Sequence, residues 1–126
     1  METSILKTIK KKIGLMEDYT EYDVAVISDI NAALSTVTQL GVGPSTGFMI
    51  EDDTATWDDL LGGDARLNQV INFIALSVRL AFDPPGNSFG ISAIQKQLDE
   101  MAWRIQVTTS ESLWVDPLPN IRSANL

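Results

Sequence analysis

The chain has 126 residues, 44% of them apolar and 21% charged, which is one domain's worth of sequence and enough for a single core burying roughly two-thirds of the unfolded surface. Nine basic against seventeen acidic side chains leave a net charge of −8, which argues against a general nucleic-acid binder, since such proteins displace counterions with cations. The absence of cysteine and histidine removes disulfides, thiolate nucleophiles, Cys-ligated zinc and the commonest general base, so most hydrolytic and zinc chemistry is disfavoured.

Ser4 is placed to cap a first helix running to Leu15, with Ile5, Leu6, Ile9 and Ile13 on one apolar stripe and Lys7, Lys10, Lys11 and Lys12 on its other faces. It is short for a membrane-binding amphipathic helix and lacks aromatic anchors, so packing on a core is the expected use. No apolar run or small-residue cleavage site follows it, which predicts a soluble protein folding in a reducing cytoplasm. Thr20 and Asp23 resemble a variant capping box opening a second helix, in which Val24, Ile27, Ile30, Leu34, Val37 and Leu40 recur at steps of three and four, and Gly41 stands at its C-terminal cap. Gly41, Gly43, Pro44 and Gly47 then interrupt regular structure. Gly47–Ile50 is short, apolar and bounded by turn residues, as expected of a strand or an extended arm.

Thr54 or Thr56 caps one helical turn carrying Trp57, Leu60 and Leu61, which Gly62 and Gly63 end. Asp64 is expected to cap a third helix over residues 65–82, with Leu67, Val70, Ile71, Ile74, Val78 and Ala81 facing the core, until Asp83-Pro84-Pro85-Gly86 stops it. Ser88 opens the fourth helix, where Ile91, Ile94, Leu98, Met101 and Ile105 repeat at helical spacing. The predicted core therefore includes Ile27, Ile30, Leu34, Ile71, Ile74, Ile94, Leu98 and Met101. From Thr108 onward Pro117 and Pro119 break the periodicity, but Leu113, Trp114, Val115, Leu118 and Ile121 are too apolar for an inert linker and predict a docking tail.

Charge is segregated along this order. Residues 1–12 hold four lysines against Glu2, whereas residues 13–65 contain eleven acids and neither Lys nor Arg. An acidic surface serves solubility, but two blocks of opposite sign also suit a contact between the cationic end of one copy and the acidic strip of another. Chemical motifs are weak throughout. The Gly41–Gly47 loop lacks the lysine of a P-loop, follows a helix and contains a proline, so it reads as a turn. Glu51, Asp52, Asp53, Asp58 and Asp59 offer oxygens to Mg²⁺ or Ca²⁺, but at no EF-hand spacing. Neither a catalytic residue nor a cofactor or metal site is assigned.

The runs Gly41-Val42-Gly43-Pro44, then Gly47-Phe48-Met49-Ile50-Glu51-Asp52-Asp53-Thr54-Ala55-Thr56-Trp57, then Asp83-Pro84-Pro85 resemble small head–tail connector proteins of long-tailed bacteriophages, over residues 5–107. The resemblance implies a non-enzymatic structural virion protein, an adaptor or head-completion protein forming a ring of twelve copies beneath the portal. Such a ring extends the DNA channel and presents a platform to a stopper or tail-completion protein. Double-stranded DNA passes through without specific binding, no membrane is involved, and assembly takes place in the host cytoplasm. The expected fold is all-α, a four-helix bundle-like domain over residues 1–107, with an irregular arm or short β segment between helices 2 and 3, and an extended docking tail over 108–126. A ring needs two unlike patches on each subunit. The expected interface residues are Lys7, Lys10, Lys11, Lys12, Phe48, Met49, Ile50, Asp52, Asp53, Trp57 and Trp114. Phe48 to Ile50 and Trp57 are expected to sit on an arm that projects onto a neighbour. Two other classes are open on the residues alone: a small regulatory or antitoxin-like module binding a basic partner, and a metal-assisted enzyme built on the acidic cluster.

Overall fold

A computed structural model describes the backbone of residues 3–113 and the side chains of residues 3–110. Five α-helices and one 3₁₀ turn account for most of it: α1 (Ile5–Lys12), α2 (Asp23–Gln39), α3 (Trp57–Leu61), the 3₁₀ turn (Ala65–Leu67), α4 (Gln69–Phe82) and α5 (Ser88–Leu113). The all-α reading holds. Among the described residues the only β pairing is an isolated antiparallel bridge between Ser4 and Thr56.

Local chemistry sets the helix ends. The Ser4 side chain accepts from the Lys7 N–H at 3.3 Å, capping α1. The helix stops at Lys12, short of the expected Leu15, because Gly14 turns left-handed at φ +90°. The N–H groups of Gly14 and Leu15 return to the carbonyls of Lys11 and Lys10, a Schellman closure. The same closure ends α2, where Gly41 lies at φ +93° and Val42 donates to the Val37 carbonyl. The Thr56–Asp59 capping box starts α3, and left-handed Gly62 ends it.

Packing changes several sequence expectations. The Thr20–Asp23 capping box does not form: Tyr22 is the N-cap without a side-chain bond, and Asp23 turns to Lys10. The buried face of α2 is Val26, Ile30, Ala33, Leu34 and Val37, while Val24 is 84% exposed. Residues 65–82 split into the Asp64-capped 3₁₀ turn and α4, whose buried residues are Val70, Phe73, Ile74, Ala75 and Val78. At the start of α5, Asn87 rather than Ser88 supplies the cap, its Oδ1 accepting from the Gly90 N–H at 2.7 Å.

The core lies between α2 and α4, with α1 across one side of the pair and α5 along α4. Of the predicted core, Ile30, Leu34 and Ile74 are fully buried. Ile27, Ile71, Leu98 and Met101 pack against the core at half exposure, and Ile94 is likewise only half-buried. The deepest contacts of α5 come late, at Ile105 and Thr109, and the helix continues through the 107/108 boundary placed in the sequence. Trp114 and the apolar residues after it lie outside the described residues.

Candidate functional site

The four N-terminal lysines do not behave as one patch. Lys10 is 1% exposed, and its ammonium donates to the Glu17 carbonyl at 3.0 Å and the Tyr19 carbonyl at 2.6 Å while pairing with Asp23 Oδ1 at 2.8 Å. Two hydrogen bonds to backbone carbonyls and the charge of Asp23 thus compensate the buried ammonium. This clamp ties the connection between α1 and α2 beneath the first turn of α2. Lys11 pairs with Glu17 at 2.6 Å and Lys7 with Asp53 at 3.7 Å, both partly exposed, while Lys12 lies on the surface. Part of the acidic strip is therefore neutralised within the chain.

The segment from Gly41 to Trp57 also departs from a projecting arm. Val42 and Ile50 are buried in the chain's own core, and Phe48 packs against it at half exposure. Asn31 on α2 holds Ile50 with both ends of its carboxamide: Oδ1 accepts from the Ile50 N–H at 2.8 Å, and Nδ2 donates to the Ile50 carbonyl at 3.0 Å. An asparagine thereby satisfies the two backbone groups that a neighbouring strand would have satisfied. Trp57 is also buried. Its N–H groups bind the Thr3 carbonyl and, from the indole, the Thr8 hydroxyl, both at 3.0 Å. Burial gives Lys10, Ile50 and Trp57 roles inside the subunit, in contrast to the expected partner contacts. Met49 is the large apolar side chain of the segment that points outward, 73% exposed, and Asp52 and Asp53 are exposed beside it in the chain.

The acids of this segment serve local structure. Asp52 accepts from the Thr54 hydroxyl and the Thr54 N–H, which hold its carboxyl below the usual carboxylate range. Asp59 completes the α3 capping box. Among the described residues no three acids converge on a point that could hold a metal ion.

Two exposed apolar surfaces remain. On α5, Phe89 (86% exposed), Trp103 (65% exposed) and Val107 share one face with Lys96 and Glu100, opposite the Ile91–Ile105 stripe that meets the core. Phe89 and Trp103 are not among the interface residues expected from the sequence, where tryptophans read as core or interface anchors. Their helical spacing, complementary to the core stripe, is the signal that identifies them. The second surface comprises Met16, Tyr19, Tyr22 and Val24, around the acidic entry to α2. There Tyr22 meets Tyr19 and Phe82 edge to face, each with ring centroids 5.6 Å apart.

A groove of about 680 Å³ opens between α1, α3 and the start of α4, lined in part by Lys12, Trp57, Asp58, Leu61, Ile71 and Asn72. Among the described residues no helix is long and apolar enough to cross a membrane.

Large apolar side chains turned outward on the longest helix mark a contact surface, the kind of feature found in proteins that assemble. The family model described as phage connector protein matches residues 5–112, nearly the whole described chain, and the chain belongs to that family. It is accordingly a structural component of a bacteriophage virion, of connector type. No curated protein and no solved structure matches the chain.

Proposed function

We propose that the protein is a head–tail connector, an adaptor that assembles as a dodecameric ring under the portal, extends the DNA channel and carries the stopper or tail-completion protein. Membership of the connector family supports the role, and the observation that carries the ring is the presence of two unlike exposed patches on one subunit. A closed ring is built from heterologous contacts, which require two such patches. The outward face of α5, with Phe89, Trp103 and Val107 beside Lys96, meets the acidic entry to α2 of the next copy, with Tyr19, Tyr22 and Val24. Aromatic anchors contribute affinity there. Lys11, Lys12, Met49, Asp52 and Asp53 are the members of the expected interface that are exposed, where a neighbour or the portal can reach them. The acidic balance of the chain suits a channel through which DNA slides without adhering.

Negative-stain imaging of the purified protein, alone and mixed with its portal, tests the proposal. Rings in either sample, lost on Trp103→Glu, are expected. Exclusively monomeric protein in the presence of portal overturns it.

A further inference from the structure

We propose that the outward face of α5 is a self-complementary seam through which two copies of the chain pair antiparallel about a two-fold axis, apart from any ring. Phe89, Ala93, Lys96, Glu100, Trp103 and Val107 are all exposed. They follow one another at alternating steps of four and three, the spacing of a coiled-coil seam. The seam runs up one side of a single uninterrupted helix for about 27 Å. The Ile91–Ile105 stripe that meets the core occupies the opposite side, so a partner helix can lie along the seam without disturbing the fold.

The order of residues along the seam selects its occupant. Its positions are symmetric about Leu98, so an antiparallel second copy sets Phe89 against Val107 of the partner subunit and Ala93 against Trp103 of the partner subunit. At the centre Lys96 meets Glu100 of the partner subunit, and the two-fold axis repeats each layer once. Every layer is complementary: apolar on apolar, small on large, cation on anion. Parallel, in-register pairing would instead stack lysine on lysine, glutamate on glutamate and tryptophan on tryptophan, and like charge excludes it. The two charged layers thus specify orientation and register, the use to which coiled coils put a polar layer. Glu100 lies 2.7 Å from Arg104 of its own helix, but through one oxygen and with both side chains 61% exposed. Such a surface pair is weak and leaves the carboxylate able to receive a second cation.

A two-fold contact closes at two copies, whereas a ring contact continues from copy to copy. Because both draw on the outward face of α5, the dimer is a form of the chain in which the ring contact is covered. That consequence alone rests on the connector reading.

Sedimentation equilibrium of the full chain without portal tests the pairing. The wild type is expected to pass from monomer to dimer with rising concentration and no further. Lys96→Glu and Glu100→Lys, each alone, place like charges in both central layers, and each is expected to weaken dimerisation by about tenfold or more. The two substitutions combined in one chain are expected to restore the dimer, as is an equimolar mixture of the two single variants. Both positions are exposed, so the helical circular dichroism should be unchanged throughout. The proposal is overturned by a wild type that is monomeric at every concentration or grows beyond a dimer. It is equally overturned by single variants that pair as well as the wild type, or by a double exchange that does not restore pairing. Rings with portal from a chain that is monomeric alone would sink the dimer and spare the connector reading, whereas a dimer that forms no ring with portal would do the reverse.

Discussion

The carboxamide of Asn31 and the backbone of Ile50 form a closed pair of hydrogen bonds, at 2.8 and 3.0 Å, between residues nineteen apart in sequence. This pair, more than any regular structure, folds the glycine-rich segment onto α2. Asn31→Ala leaves the Ile50 N–H and carbonyl without partners beside a buried side chain and is expected to cost about 1–3 kcal/mol. Thermal denaturation measures the loss. Amide exchange at Ile50 should accelerate more than exchange in the middle of α4, and equal acceleration at both sites would refute a local role.

Lys10 is expected to dominate the stability contribution of the lysine cluster. Lys10→Met removes the ammonium from two carbonyls and from Asp23, and breaking a buried pair in this way costs about 3 kcal/mol. Lys12→Glu, at an exposed position, should shift stability by no more than about 0.5 kcal/mol. Denaturant titration of the two variants separates the roles, and similar midpoints would refute the distinction.

Gly41 meets two constraints at once. Its φ of +93° disfavours any side chain, and an added Cβ would lie 3.0 Å from Thr109 Oγ1. The Thr109 hydroxyl in turn donates to the Leu40 carbonyl at 2.6 Å, so the end of α2 is closed by a residue of α5. Gly41→Ala is expected to destabilise by about 1–2 kcal/mol or more. Thr109→Ala in the same chain should recover only part of the steric cost, because the Thr109 Cβ stays 3.1 Å away, and none of the conformational cost; full recovery in a double-mutant cycle would show that φ contributes nothing.

Acid dependence should carry two signs. Burial pushes the Asp29 carboxyl above its ordinary value, so its ionised form opposes folding at neutral pH, and that penalty disappears as pH falls below the unfolded carboxylate range. Asp29→Asn should therefore raise Tm at pH 7 and leave it unchanged near the bottom of the acid range. Asp52 and Asp64 are held low, by the Thr54 hydroxyl and N–H and by the Arg66 guanidinium and N–H respectively. Their contribution is present above the unfolded carboxylate pKa and is lost as pH falls through the folded value. Asp52→Ala should thus lower Tm at pH 7 and not in strong acid, and a loss independent of pH would refute the assignment.

Trp103→Glu places a charge on an outward face and removes no core contact, so Tm should stay within a few degrees of the wild type. If the α5 face is the subunit contact, the same substitution abolishes assembly. A large fall in Tm would instead place Trp103 in the fold.

What lay in the sequence by itself was local. Ser4, Thr56 and Asp64 mark helix starts because their side-chain oxygens accept from backbone N–H groups two or three residues ahead. Gly41 and Asp83-Pro84 mark helix ends, because a left-handed cap and a proline act on their immediate neighbours. The central run through Gly47–Trp57 was specific enough to carry the resemblance to connectors. Tertiary structure alone decided the rest. Val24 and Val26 both lie on a helix apolar over a wide arc, so periodicity could not choose which faces α4. Lys10 looks in sequence like its exposed neighbours Lys11 and Lys12, and becomes a buried clamp only because the turn at Gly14 brings Glu17, Tyr19 and Asp23 around it. Ile50 found Asn31, and Leu40 found Thr109 sixty-nine residues away, through bonds whose partners no local pattern specifies. Such pairings depend on which helix faces meet, and that is settled by the collective packing of α2, α4 and α5.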